Sequence, residues 1–266
     1  MQIELHSLQP PARWKRPSPF LFVLGVVMLS IFLHGVSISE LTPERMVRGV
    51  FRLYEFLNDA FPPDLTRFPN ILKATLETFE IALLGTVFGA FLSLPLALLA
   101  AKNTTPHLFV YRLTRSFIGF LRAIPDLIWG LIFIVIVGLV PGPGILAITV
   151  DVMGFCGRFF AERIEEIEPG TVDALRALGA SQAGVIVGAI LPETLASFVA
   201  STLFSLESSV RSAVVLGLVG AGGIGVELAT SMQLLRYDQA VTIILAIFLV
   251  VIVVEQVSSA IRRRLI

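Results

Sequence analysis

Residues 19–38, PFLFVLGVVMLSIFLHGVSI, run twenty positions without a charged side chain. A helix rises about 1.5 Å per residue, so roughly 20 such residues match a hydrocarbon core about 30 Å thick. Five more apolar stretches follow, at about Phe79–Ala101, Ile118–Val140, Pro143–Ala161, Leu195–Leu218 and Gln239–Ala260. That recurrence restricts the chain to a lipid solvent, in which backbone polar groups must be satisfied within helices or a closed barrel. No segment alternates at the period of a barrel strand. Hydrophobic residues reach 55% and charged residues only 15%, whereas a soluble globular chain is about 25% charged. The expected fold is all-α, a polytopic membrane protein with six transmembrane helices.

Arg13, Lys15 and Arg16 ahead of the first run resemble the basic end of a signal peptide. The run is too long for one and no A-x-A site follows, so it reads as an uncleaved helix. The third span is the least regular. Residues 127–140 are too short alone, and extension back to Ile118 draws Arg122 and Asp126 to membrane depth. Each costs roughly 2.5–3.5 kcal/mol at a helix centre, which the surrounding apolar residues offset. Spaced four apart, the two are expected to pair on one helical face. Asp151 falls inside the fourth span, and Glu207 and Arg211, again four apart, inside the fifth.

Six spans put both termini on one side. The basic N-terminal arm, the 102–115 loop with Lys102, Arg112 and Arg115, and the Arg262–Arg264 tail all fall there, and basic loops mark the cytoplasmic side. Residues 39–75 dissent, with five basic residues on the outer side. Val47, Val50, Phe51, Tyr54 and Leu57 form a helical stripe there. It is expected to lie on the outer surface as an amphipathic helix or to meet a periplasmic partner. The expected organisation is a cytoplasmic arm (1–18), the first span (19–38), a periplasmic amphipathic segment (39–78), a five-span core (79–260) containing a cytoplasmic loop (162–194), and a basic cytoplasmic tail (261–266).

The sequence VGAGGIG at 219–225 fits the G-x-G-x-x-G pattern of dinucleotide-binding proteins. That pattern cradles phosphate only after a buried strand and at the start of a helix; here a serine-bearing membrane span precedes it. Gly220, Gly222, Gly223 and Gly225 are therefore expected to form a tight turn or gate element on the outer side, where an unwound backbone is surrounded by protein or by a watery cavity. Ser201, Ser205, Ser209 and Ser212 make a small-residue face that suits close packing against another span or a second subunit. A net charge of zero gives no nucleic-acid footprint. A single cysteine, Cys156, excludes an intrachain disulfide and a cysteine-cluster metal site and reads as a small buried hydrophobe. His6, His34 and His107 are too scattered to build a nucleophile–base pair, so hydrolytic catalysis is not expected.

Between the fourth and fifth spans lies ERIEEIEPGTVDALRALGASQAGVIVGAILPETL. Pro169 and Gly170 open a turn, Val172, Leu175 and Leu178 recur at helical spacing, and Gly179 is a plausible helix C-cap. A second helix holding Val185, Ile186 and Ile190 is expected to break at Leu191–Pro192, giving a helix–turn–helix across the cytoplasmic face. This stretch resembles the signature cytoplasmic loop of binding-protein-dependent ABC transporter permeases. The family pattern is E-A-A, three residues, Gly, nine residues, then I-x-L-P. Asp173-Ala174-Leu175 stands at E-A-A, and Gly179, Leu191 and Pro192 stand at the later positions. Asp173 for Glu, Leu175 for Ala and Ala189 for Ile are departures. RAIPDLIWGLIFIVIVGLVPGPG, EEIEPGTVDALRALGAS and ESSVRSAVVLGLVGAGGIGVEL resemble, more narrowly, the permease of phosphonate and phosphite transport systems.

The resemblance implies a type I importer permease of the inner (cytoplasmic) membrane, carrying phosphonate, phosphite or a related oxyanion. It implies a homodimer of this chain, two ATP-binding cassette subunits and a periplasmic substrate-binding protein. The ATPase-coupling residues are then Glu168, Pro169, Gly170, Asp173, Ala174, Leu175, Arg176, Gly179, Ala180, Leu191 and Pro192. The chain has no G-x-x-x-x-G-K-[ST] loop, so ATP and Mg are expected on the partner ATPases and no cofactor in this chain. Arg122, Asp126, Asp151, Glu207 and Arg211 are candidates for the translocation pathway, since ionisable groups at membrane depth face protein or water; the alternative is that they are structural pairs. The rival reading is an ion-coupled secondary transporter using Asp151 and Glu207.

Overall fold

The structure is a computed structural model and describes residues 18–39 and 42–265. The basic N-terminal arm with His6, Arg13, Lys15 and Arg16 lies outside the described residues, as does Ile266. The described residues are helical and contain no strand. The helices are α1 (Pro19–Ile38), α2 (Pro43–Ala60), α3 (Phe68–Ala100), α4 (Leu108–Ala123), α5 (Asp126–Val137), α6 (Pro141–Glu165), α7 (Pro169–Ala177), α8 (Gln182–Val185), α9 (Leu191–Leu218), α10 (Ile224–Gln233) and α11 (Tyr237–Leu265). Five rods are long and apolar enough to cross a membrane, and the bent α4–α5 pair makes a sixth if counted as one span.

The chain divides into two units, residues 1–58 and 59–266. In the first, Ser18 caps α1 by accepting from the Leu21 N–H, and proline opens the helix, where its missing donor costs nothing. α2 carries a Glu44–Arg48 ion pair at 3.0 Å. Its Val47, Val50, Phe51, Tyr54 and Leu57 recur at helical spacing.

In the second unit α6 is the central rod and packs most extensively against α3. The reason is a column of small residues on α3. Gly85, Gly89 and Ser93, four apart, are all buried. A Cβ at Gly85 would lie 2.6 Å from Ile148 Cγ2, and one at Gly89 only 2.7 Å from Val152 Cβ and 2.8 Å from the Thr149 carbonyl. Small residues let backbones approach where lipid offers no hydrophobic drive. Gly89→Leu should therefore cost at least the roughly 1–3 kcal/mol of an overpacked core. The check is a lower thermal unfolding midpoint in detergent.

Three helices depart from the sequence reading. First, α3 begins at Phe68 rather than Phe79. Its 33 residues span about 50 Å, longer than the hydrocarbon core, so a polar first portion bearing Lys73 and Glu77 extends past the apolar part. Second, the third span is not one helix: α4 and α5 meet at 86°. Pro125 is the cause, because proline disfavours helical geometry in the residue before it, and Ile124 is extended at φ −101°, ψ 120°. Trp129 braces the bend, its ring edge-on to Phe120 with centroids 6.2 Å apart.

Third, Leu191–Pro192 does not end a helix. α8, a π-helical turn over Ile186–Ile190 and α9 form one 37-residue rod. Within the π turn the Leu191 N–H bonds the Ile186 carbonyl five residues back. The wider turn carries the chain past the donor that Pro192 lacks. Similarly, VPGPG is only partly a turn: Gly138, at φ +99°, ends α5, and Pro141 already begins α6.

Candidate functional site

Two half-buried carboxylates, Asp151 of α6 and Glu207 of α9, sit on two central helices. Asp151 of α6 lines a recess of about 40 Å³ with Val152, Phe155, Phe204, Ser205 and Ser208, space for about one water. Phe155 stacks on Phe204 with centroids 5.7 Å apart. On α9, Phe204, Ser208, Arg211, Val215 and Leu218 follow at spacings of four and three. Together they form one stripe that the rest of the bundle leaves uncovered or half-covered. The opposite face is packed. Thr86 donates to Ser209 at 2.9 Å, and Cys156, fully buried, lies 3.3 Å from the Ser205 hydroxyl. Two members of the serine face, Ser209 and Ser205, thus pack against α3 and α6.

Glu207 and Arg211 do pair, at 3.3 Å. The sequence reading missed the second partner: Arg262, assigned there to the cytoplasmic tail, reaches Glu207 at 3.4 Å. α11 runs to Leu265, so Arg262 is helical and long enough to reach inward. One carboxylate held by two guanidiniums leaves a net positive cluster, with the Arg211 side chain 49% exposed.

The expected Arg122–Asp126 pair does not form. The bend at Pro125 puts the two on different helices, and among the described residues Arg122 has no ion pair. Asp126 instead opens α5, its carboxylate accepting from the Leu127 N–H at 2.8 Å. Acidic groups suit that position because of the positive helix end. Both residues remain within electrostatic range of Asp151.

Gly220, Gly222 and Gly223 adopt φ of +101°, +87° and +75°, so the glycine cluster is a tight turn of left-handed backbone that L side chains avoid. It leads into α10 and is clasped by α3. The Gly223 N–H donates to Glu77 at 3.2 Å and the Ile224 N–H to the Thr78 hydroxyl at 2.7 Å. These bonds satisfy orphan donors at the α10 start. Nothing local in the sequence marks Glu77 and Thr78, which are remote from the glycines along the chain. Beside the turn, Gly217 and Gly225 touch backbone to backbone. At the same end of the bundle Asp64 accepts from Thr66 and Gln239. The Thr66 backbone N–H, then its hydroxyl, then the Gln239 amide hold the Asp64 carboxyl below its ordinary value.

At the other end lies α7. Val172 is buried and Leu175 half-buried, and Leu175 Cδ1 would contact a Cβ at Gly188. Leu178, expected on the same stripe, is instead 83% exposed, because α7 ends at Ala177 and the chain turns away. The turn is a full Schellman motif: the Gly179 N–H bonds Arg176 O at 2.9 Å, and the Ala180 N–H bonds Leu175 O at 3.0 Å. Gly179 supplies the positive φ, +82°. Asp173 and Arg176 pair loosely on the exposed face, at 3.7 Å. Glu168, Pro169 and Gly170 open α7 from its exposed side. Leu191 and Pro192 sit at the root of the α9 rod.

A bundle of long apolar rods, a partly uncovered central face bearing charge and a protruding polar hairpin at one end define a multi-pass membrane transport subunit. The chain belongs to the family described as binding-protein-dependent transport system inner membrane component, whose model matches residues 93–266. Among its relatives is the putative phosphite transport system permease protein HtxC of Stutzerimonas stutzeri, 36% identical over 91% of this chain and 86% of that protein. The phosphite transport system permease protein PtxC of the same organism is 33% identical over 94% of this chain and 90% of its own. The phosphate-import permease protein PhnE of Mycolicibacterium smegmatis is 32% identical over 92% of this chain and 46% of its own length. The fold is that of a chain in the inward-facing MetNI methionine ABC transporter, with TM-score 0.67 and 23% identity, covering 76% of this chain and 99% of that one.

Proposed function

We propose that this chain is the membrane-spanning subunit of an ATP-driven importer for phosphite, a phosphonate or a related phosphorus oxyanion. The observation that carries the reading is α7. It presents Asp173, Ala174, Arg176 and Leu178 outward, is locked at one end by the Gly179 motif, and is anchored through Val172 and Leu175 to the base of the α9 rod. A lever of that form transmits a push from a partner into a spanning helix. The partners are two ATP-binding cassette subunits, which hold ATP and Mg, docking on α7 from the cytoplasm. A periplasmic binding protein delivers cargo at the end carrying the glycine turn, with α2 lying on the outer membrane surface. Both termini are cytoplasmic. A second copy of this chain completes the pathway, its α6 and α9 faces opposing those described here. The named relatives support the cargo class.

Within that pathway Arg211, one turn beyond Ser208 on the uncovered stripe of α9, meets the anion, because guanidinium matches phosphorus oxygens in a bidentate way. Glu207 is held by two guanidiniums and is not a free carboxylate for ion coupling, which weighs against a secondary transporter. In proteoliposomes with the ATPase and binding protein, uptake of phosphite or a phosphonate should require ATP. Arg211→Gln should lower uptake about tenfold while the complex still assembles. Robust uptake by this chain alone under an ion gradient would overturn the importer reading, and wild-type uptake by Arg211→Gln would remove Arg211 from the route.

A further inference from the structure

A second polar recess lies apart from the charged face just described. A cleft of about 220 Å³ opens between α4 and α6, lined by Ala100, Arg115, Ile118, Gly119, Arg122, Arg158 and Ala161. Three guanidinium side chains line it and no carboxylate does. Arg115 and Arg122 lie one turn on either side of Gly119 on α4, and a Cβ at Gly119 would meet nothing within 4 Å, so the glycine keeps the floor open.

Two of the three arginines are held in position. Arg115 donates through Nε to the Ala100 carbonyl at 3.0 Å and through one terminal nitrogen to Glu165 at 3.0 Å. Arg158 donates through Nε to Glu162 at 2.7 Å. A guanidinium has five N–H donors, so both retain unused ones. Arg122 has no hydrogen bond or ion pair among the described residues. Its stem crosses α6 at Gly154, where a Cβ would lie 2.9 Å from Arg122 Cγ. Asp151 interacts electrostatically with Arg122 but does not line the cleft.

From this geometry we infer that the cleft is a binding site for a tetrahedral phosphate group, separate from the α6–α9 face. Converging guanidiniums match phosphate oxygens in charge and in bidentate shape. The cleft stands beside the ends of α3 and α6, the same end of the bundle as α7. Basic pockets between spanning helices at that level accept phospholipid headgroups. A free phosphorus oxyanion presents the same chemistry. Occupancy by either would tie α4 to the part of α6 that leads into α7.

The test uses the assembled complex of this chain with its ATPase, without the binding protein. Native mass spectrometry scores retained phosphatidylglycerol after reconstitution in nanodiscs containing it. Radiolabelled orthophosphate is titrated in nanodiscs of phosphatidylcholine alone. At least one probe should bind, and Arg122→Gln and Gly119→Leu should each cut its occupancy at least fivefold. Gly119→Leu occupies the cleft without removing a charge, and its Cβ meets nothing within 4 Å, so its unfolding midpoint should match the wild type. Retained phosphatidylglycerol without orthophosphate binding assigns the site to a lipid headgroup, and the converse assigns it to the free anion. Binding of neither probe, or unchanged binding in either variant, overturns the inference.

Discussion

A Gly225→Val chain should fail to yield a stable subunit. A Cβ at Gly225 runs into the Val214 carbonyl oxygen and lies 2.8 Å from Gly217 Cα. Both obstacles are backbone of α9, so no rotamer change relieves them. At Gly220 the obstructing atom is the end of the Leu139 side chain, which can swing away. Overpacking a core ordinarily costs about 1–3 kcal/mol, and the valine should reach or exceed the top of that range. Gly220→Ala should cost only about 1–2 kcal/mol, the strain of a left-handed L residue. Unfolding midpoints of the two variants in detergent check the order. Equal midpoints would show that the α9–α10 contact is not the constraint that holds the glycine turn.

The second large effect is on transport rather than on folding. Asp173→Lys should leave protein level and unfolding midpoint unchanged, because its pair with Arg176 is exposed and loose and such pairs contribute about 0–1 kcal/mol. It inverts the charge at the centre of the surface proposed to meet the ATPase. Uptake should fall at least tenfold, with ATP hydrolysis no longer responding to loaded binding protein. Gly179→Val should give the same loss by another route. At φ +82° a β-branched residue is badly strained, the Schellman bonds open, and a nine-residue helix does not hold itself together. Full uptake by Asp173→Lys would mean that the ATPase does not dock on this face of α7.

The glycine turn and the end of α7 were both legible. Gly179 announced a helix end because its requirement is local, a backbone angle that only glycine adopts freely. VGAGGIG announced a turn for the same reason, but its clasp, Glu77 and Thr78, did not show, since only packing brings α3 beside α10. The Glu207–Arg211 pair was visible as a four-residue spacing. Arg262 was not, because its contact crosses from α11 to α9. At Arg122–Asp126 the spacing misled: it assumes an unbroken helix, and Pro125, in plain sight between them, forbids one. Pro192 misled in the opposite direction, because a π turn, which no residue pattern announced, lets the helix continue.

The sequence by itself determined the solvent, the helical class, the presence of the spans and the loop motif between the fourth and fifth spans. Each follows from apolar run length, from charge scarcity, or from residues whose preferences act within one or two turns. Only the tertiary structure decided which charges share a carboxylate, and that Arg115, Arg122 and Arg158 face one cleft. Those outcomes depend on how α11 packs against α9 and α4 against α6. That packing joins residues far apart in the chain, and no local preference encodes it.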